Sequence, residues 1–187
     1  MIKNLSYKEK KELARSENTA PEILEELSED TDVDILKLVA GNRKTPPNVL
    51  AKLANINNPK IRACVGWNKS APSDILIKLA DDVEPMVKAA VGGNIKTPPE
   101  VLAKLADYNG IGDIYVKRTV GENISTPSYV LVKLAGDSRK YVRFGIIGNP
   151  NTPLDILLKI ILYDKEKDLR EKATKIIKYR CEKYAKQ

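Results

Sequence analysis

At 187 residues, 42% hydrophobic and 30% charged, the chain is long enough for one domain with a sizeable core, and an aromatic content of 5% with a single Phe makes that core aliphatic. Histidine is absent, which removes the usual general base and the commonest metal ligand, and uncharged stretches such as Phe144 to Leu154 fall far short of the roughly 18 apolar residues of a membrane span. The formal charge of +7 is unevenly placed: residues 1–35 hold 5 Lys/Arg against 10 Asp/Glu, leaving 27 against 15 for the remainder, so a basic body carries an acidic head.

The chain opens on MIKNLSYKEKKELARSE, which has neither the apolar segment nor the small-residue cleavage site of a secretory signal, and a cytoplasmic location is the expectation. Ser6 and Glu9 have the spacing of a capping box and predict a short polar helix reaching Leu13 and Ala14. From there a period dominates. Leu24, Leu50, Leu76, Leu102, Leu131 and Leu157 recur at steps of 26, 26, 26, 29 and 26 residues, inside frames such as KTPPNVLAKLA, KTPPEVLAKLA and NTPLDILLKII.

Upstream of each Leu frame from the second onward lies a second half-unit, in which Ile35, Ile61, Val87, Val116 and Val142 are followed four positions later by Val39, Val65, Val91, Val120 and Ile146. That spacing is one helical face. Each repeat therefore reads as two short helices. Thr19, Thr45, Thr97, Thr126 and Thr152 stand where a hydroxyl can cap a helix start, with Pro46, Pro98, Pro127 and Pro153 at the first helical position. Glu22 and Glu100 complete capping boxes with Thr19 and Thr97, and Asp74 and Asp155 favour the positive helix end. Gly41, Gly66, Gly92, Gly93, Gly121 and Gly148 suit a left-handed cap, and Asn42, Asn68, Asn94, Asn123 and Asn149 bond backbone groups in the turn that follows.

One step is three residues longer because of an insertion within Tyr108 to Ile114, read as a flexible loop. The chain closes on a helical pattern over 165–184 with apolar Leu169, Ala173, Ile176, Ile177 and Tyr184. A lone helix pair cannot bury its apolar face, whereas stacked pairs share a core. The reading is one all-α domain over 1–187: an N-terminal cap over 1–14, six repeats of about 26 residues over 15–162, and a C-terminal cap over 163–187. Cys64 and Cys181, 117 positions apart, are expected to stay reduced as small apolar fillers.

The upstream V-R/K and V-A/G-G-N pattern followed by T-P-P-E-V-L-A-K-L-A resembles the leucine-rich repeat variant family across roughly residues 15–162. The resemblance implies a right-handed superhelix related in shape to HEAT and armadillo arrays, with α-helices alternating with shorter, partly 3₁₀, helices. Some members carry an N-terminal cysteine cluster for an iron–sulfur centre; here no cysteine precedes Cys64, so no cofactor and no metal is expected. The family has no common assigned activity, and no catalytic residue is expected.

Charge is what the repeat leaves over. Arg62, Lys88, Lys117 and Arg143 hold one register of the upstream helices, and Lys52, Lys78, Lys104, Lys133 and Lys159 hold one register of the Leu helices. By the HEAT analogy the first ladder lines a concave face. Such a stripe either binds a phosphate backbone or is a solvated face whose stems cover apolar surface. Asp81, Asp82, Glu84 and Asp113 stand in turns with no evident partner. Trp67, the single tryptophan, sits in a turn where it either packs across helix ends or anchors a partner. The functional expectation is a non-enzymatic scaffold binding another protein or a second copy of itself, with nucleic acid as the alternative partner and neither a membrane nor a small-molecule substrate implied. Arg62, Lys88, Lys117, Arg143 and Trp67 are the candidate contact residues.

Overall fold

The computed structural model describes residues 2–184. Among them are thirteen α-helices, a single 3₁₀ turn at Ile2–Asn4 and no strand. The chain divides into two compact units, Met1–Pro98 and Pro99–Gln187. The first holds α1 (Tyr7–Arg15), α2 (Pro21–Leu27), α3 (Val33–Gly41), α4 (Pro47–Leu53), α5 (Pro59–Trp67), α6 (Ser73–Leu79) and α7 (Pro85–Gly93). The second holds α8 (Pro99–Ala106), α9 (Asp113–Glu122), α10 (Ser128–Ala135), α11 (Lys140–Ile147), α12 (Leu154–Tyr163) and α13 (Lys167–Tyr184). Both helices of every repeat are α-helical, where the family resemblance implied partly 3₁₀ ones.

Helices of seven to ten residues are too short to stand alone in water, so stacking must hold them. In the first unit α1 packs on α3, α3 on α5 and α5 on α7; in the second α9 packs on α11 and α11 on α13. The upstream helices thus form one row in each unit, and the Leu helices lie behind them. All six period-marking leucines, Leu24 to Leu157, are completely buried, as are Val39, Val65, Val91, Val120 and Ile146. Each such side chain contributes about 1.5–3 kcal/mol by leaving water.

The punctuation residues act differently from their sequence reading. Thr19, Thr45, Thr126 and Thr152 do not cap the helix ahead, and like them Thr97 bonds backwards. Their hydroxyls donate backwards, at 2.5–2.6 Å, to the carbonyls of Leu13, Val39, Val91, Val120 and Ile146 in the preceding upstream helix. They satisfy an orphan C-terminal acceptor rather than an N-terminal donor. The N-cap is Pro46, Pro127 or Pro153, or Ala20 before Pro21, with no side-chain cap bond. The expected Thr19–Glu22 capping box is therefore absent, whereas that of Ser6 and Glu9 is present.

Glycine is likewise corrected. Gly112, the N-cap of α9 in the inserted loop, alone has a positive φ, 74°, among the described residues. At Gly66 and Gly145 the reason is close approach: an added Cβ would lie 2.9 Å from Ala90 Cβ and 2.8 Å from the Arg118 carbonyl oxygen, respectively. Successive upstream helices touch there almost backbone to backbone.

The asparagines do what the turn reading asked and more. Asn42, Asn68 and Asn149 are buried, and each Nδ2 donates two bonds of 2.7–2.9 Å to the preceding repeat. The acceptors lie 28 and 26 residues back, as when Asn68 reaches the carbonyls of Ala40 and Asn42. Each Oδ1 accepts an N–H two residues ahead in its own turn, from Lys44, Ser70 and Asn151. One side chain shapes a turn and joins two repeats.

Candidate functional site

The basic ladder of the upstream helices is held inward. On α5, Arg62 forms a fork with Asp82 (Nε to Oδ2 2.6 Å, Nη2 to Oδ1 3.0 Å) and donates from Nη1 to the Ile56 carbonyl at 3.0 Å. On α11, Arg143 repeats this with Asp164 at 2.6 and 2.9 Å and with the carbonyls of Asp137 and Ser138, both at 2.9 Å. Lys117 on α9 is buried; it donates to Asn109 Oδ1 at 2.8 Å and lies 3.4 Å from Asp113 and 3.8 Å from Asp137. Lys88 on α7 reaches back to the Ala80 carbonyl at 3.1 Å. The charges expected to line an open groove are thus neutralised inside the stack at Arg62, Lys117 and Arg143.

The pairing has its own arithmetic. Lys10–Asp30, Arg62–Asp82 and Lys117–Asp137 are 20 residues apart and Arg143–Asp164 is 21. Each of the four aspartates also accepts, at 2.9 Å, the N–H two residues ahead, so it folds its turn while receiving the basic side chain. Asp82 and Asp113, which had no evident partner in the sequence, are paired with Arg62 and with Arg139 and Lys117. The insertion is also accounted for locally: Asn109 supplies the bond to Lys117, and the Tyr108 hydroxyl donates to the Ile111 carbonyl at 3.1 Å.

Burial pushes the Asp164 and Asp82 carboxyls up, but the hydrogen bonds from Arg143 and Arg62 and from the N–H groups of Glu166 and Glu84 more than reverse it, so both lie below the usual carboxylate range. A depressed folded pKa contributes stability that is fully present above the unfolded value of about 3.9 and is lost as pH falls through the folded one. Urea denaturation between pH 7 and pH 2 should therefore give an unfolding free energy that declines below about pH 4. The decline should be shallower in Asp82→Asn/Asp164→Asn. An equally steep acid limb in that double variant would count against the assignment.

The Lys ladder of the Leu helices is exposed and paired between repeats. Lys52 meets Glu29, Lys78 meets Asn55 and Lys133 meets Asp107, while Lys159 pairs within α12 with Asp155 at 3.6 Å. Exposed pairs of this kind contribute little. Of the cysteines, Cys64 is half-buried, and burial pushes its thiol up; Cys181 is exposed, not the filler expected of it.

Among the large apolar side chains that the upstream helices leave open, such as Val33 and Met86, three are aromatic residues set against neighbouring repeats. Trp67, the last residue of α5, is 52% exposed, and its ring lies so close over Gly93 that a Cβ there would come within 2.3 Å of Cζ3 and Cη2. The ring packs on the bare backbone of α7 and remains half open to solvent. In the second unit Tyr115 of α9 and Tyr141 of α11, 67% and 58% exposed, border a cavity of about 260 Å³ together with Ile114 and Arg118. Beside them Phe144 is flanked by cations, Lys172 Nζ 3.1 Å and the Arg118 guanidinium 5.8 Å from its ring centre. Sequence reasoning singled out Trp67 by its rarity but passed over the two tyrosines, whose shared place one position before Val116 and Val142 is a visible signal.

No helix among the described residues is long and apolar enough to cross a membrane. No protein-family model matches the chain, and no curated protein matches it. A solved structure described as a leucine-rich repeat variant with a novel repetitive protein structural motif is similar over 94% of this chain and 68% of its own length, at 20% sequence identity and a TM-score of 0.63. The stacked helix pairs, the 26-residue period and this likeness together give the chain the all-α repeat fold of the leucine-rich repeat variant.

Proposed function

We propose that the chain is a non-enzymatic repeat scaffold that binds another polypeptide through the exposed face of its upstream helices, the face that the HEAT analogy makes concave. The observation that carries this reading is the division of labour on those helices. Arg62, Lys117 and Arg143 are taken up by aspartates and carbonyls, while Trp67, Tyr115 and Tyr141 stay open. Large, stiff aromatic side chains with one covered and one open face are the residues that dominate protein interfaces. Trp67 is the anchor of the first unit, and the Tyr115–Tyr141 cleft is that of the second.

Trp67→Ala is expected to leave the far-UV circular dichroism unchanged, because the ring is half exposed and lies over glycine. It should reduce partner capture, in affinity purification with cross-linking from the native cell, by an amount equivalent to roughly 2 kcal/mol, about thirtyfold in affinity. Equal capture by wild type, Trp67→Ala and Tyr115→Ala/Tyr141→Ala would sink the proposal. Salt-sensitive retardation of DNA or RNA by the wild-type chain would point to the nucleic-acid partner instead.

A further inference from the structure

The last Leu helix, α12, departs from its five counterparts where the stack does not need it. Its inner face is regular, with Ile156, Leu157 and Ile160 buried. Its outer face carries Leu154, Leu158 and Leu162, which are 50%, 49% and 65% exposed. At the register of Leu154 the earlier repeats have Pro21, Pro47, Ser73, Pro99 and Ser128; at that of Leu162 they have Glu29, Asn55, Asp81, Asp107 and Gly136. At the register of Leu158 they run Glu25, Ala51, Ile77, Ala103 and Val132. Leucines at i, i+4 and i+8 form one stripe along a helix. Tyr163, the residue after Leu162, is 81% exposed.

These three half-exposed leucines form a contiguous apolar stripe, and each would contribute about 1.5–3 kcal/mol if fully buried against a partner. Contiguous exposed apolar surface rimmed by polar residues marks association sites. The flanking charges say with what. Asp155 and Lys159, both largely exposed and 3.6 Å apart, lie on the same side of the stripe. Two copies of α12 can be laid antiparallel about a two-fold axis at Leu158. Leu158 then meets its own copy and Leu154 meets Leu162. At 1.5 Å per residue, Asp155 of one copy falls about 3 Å along the axis from Lys159 of the other, on the same flank. The stripe and its charges are self-complementary only in that antiparallel register.

We propose that α12 is a two-fold homodimerisation surface in which Leu154, Leu158 and Leu162 of two copies pack together and Asp155 and Lys159 exchange their intrahelical ion pair for reciprocal pairs across the axis. The surface shares no residue with Trp67 or the Tyr115–Tyr141 cleft, so it stands or falls separately from the partner-binding reading.

Sedimentation equilibrium and light scattering on the full chain should show a dimer. Leu158→Glu sets two carboxylates against each other at the axis and should raise the dissociation constant about a hundredfold with circular dichroism unchanged. Asp155→Lys should weaken the dimer several-fold, and adding Lys159→Asp should restore it, since the swapped pair is again complementary. Ile111→Ser, removing a loop isoleucine that is 90% exposed, should change nothing. A wild-type chain that stays monomeric, or a folded Leu158→Glu variant that dimerises as tightly as wild type, overturns the proposal. Should Leu158→Glu fail to fold, Leu158→Cys in a Cys64→Ser/Cys181→Ser background decides: a 158–158 disulfide under mild oxidation supports the two-fold, and its absence overturns it.

Discussion

Arg143→Ala is expected to lower the unfolding free energy by about 3–5 kcal/mol, the range for breaking one side of a buried ion pair. Three losses coincide. The Asp164 side chain, 4% exposed, keeps a charge with its fork removed. The carbonyls of Asp137 and Ser138 lose a common donor. The turn between α12 and α13, which Asp164 shapes through the Glu166 N–H, is held by a carboxylate that now gains by being protonated or exposed. Urea denaturation of wild type, Arg143→Ala and Lys133→Ala separates this from a surface effect. Lys133 is paired with Asp107 in the open, both side chains more than half exposed, and its loss should change stability by less than about 1 kcal/mol. Equal effects at the two positions would refute the distinction between the inward and outward ladders.

Asn68→Ala should cost about 3 kcal/mol, although the side chain carries no charge and contributes little apolar area. The substitution strips donors from the buried carbonyls of Ala40 and Asn42 and an acceptor from the Ser70 N–H, and each buried polar group left unsatisfied costs about 1–3 kcal/mol. Asn68→Asp is the sharper probe. It keeps the acceptor for Ser70 but turns a donor towards two carbonyl oxygens into a second acceptor, so it should be at least as damaging as Ala. A loss under about 1 kcal/mol for Asn68→Ala, read from denaturation midpoints at constant m-value, would mean that the turn tolerates water where the structure places the amide.

The repeat and its core were legible in the sequence because hydrophobic period is a local signal: Leu24 to Leu157 and the Val39 to Ile146 series were identified from spacing alone, and all are buried. Roles that depend on a neighbouring repeat were not. A threonine before a proline offers an oxygen to the helix ahead or the helix behind, and nothing in Thr45 itself says that it will choose Val39. A glycine at a helix end is compatible with a left-handed cap or with close approach; only the position of Ala90 decides it for Gly66. The basic ladder was visible as a stripe, but its partners stand 20 or 21 residues away, close to but not at the repeat period, so aligning repeats hides them. The aromatic surface was half seen, since a lone Trp stands out and two tyrosines a repeat apart do not. The stripe on α12 went unread because leucines at its registers look like more core.

The asparagine bonds have a direction that bears on how the chain is made. Asn42 reaches to Ala14 and Ser16, Asn68 to Ala40 and Asn42, and Asn149 to Gly121 and Asn123, always towards earlier residues. Chains leave the ribosome from the N-terminus at about 5–20 residues per second, so each asparagine emerges roughly one to six seconds after its acceptors and then meets them. The Ala14 and Ser16 carbonyls at the end of α1 thus serve as a template on which the next repeat docks through Asn42. Because the next repeat needs only the pair its predecessor leaves behind, the array can be lengthened or shortened by whole 26-residue units without leaving any amide unanswered.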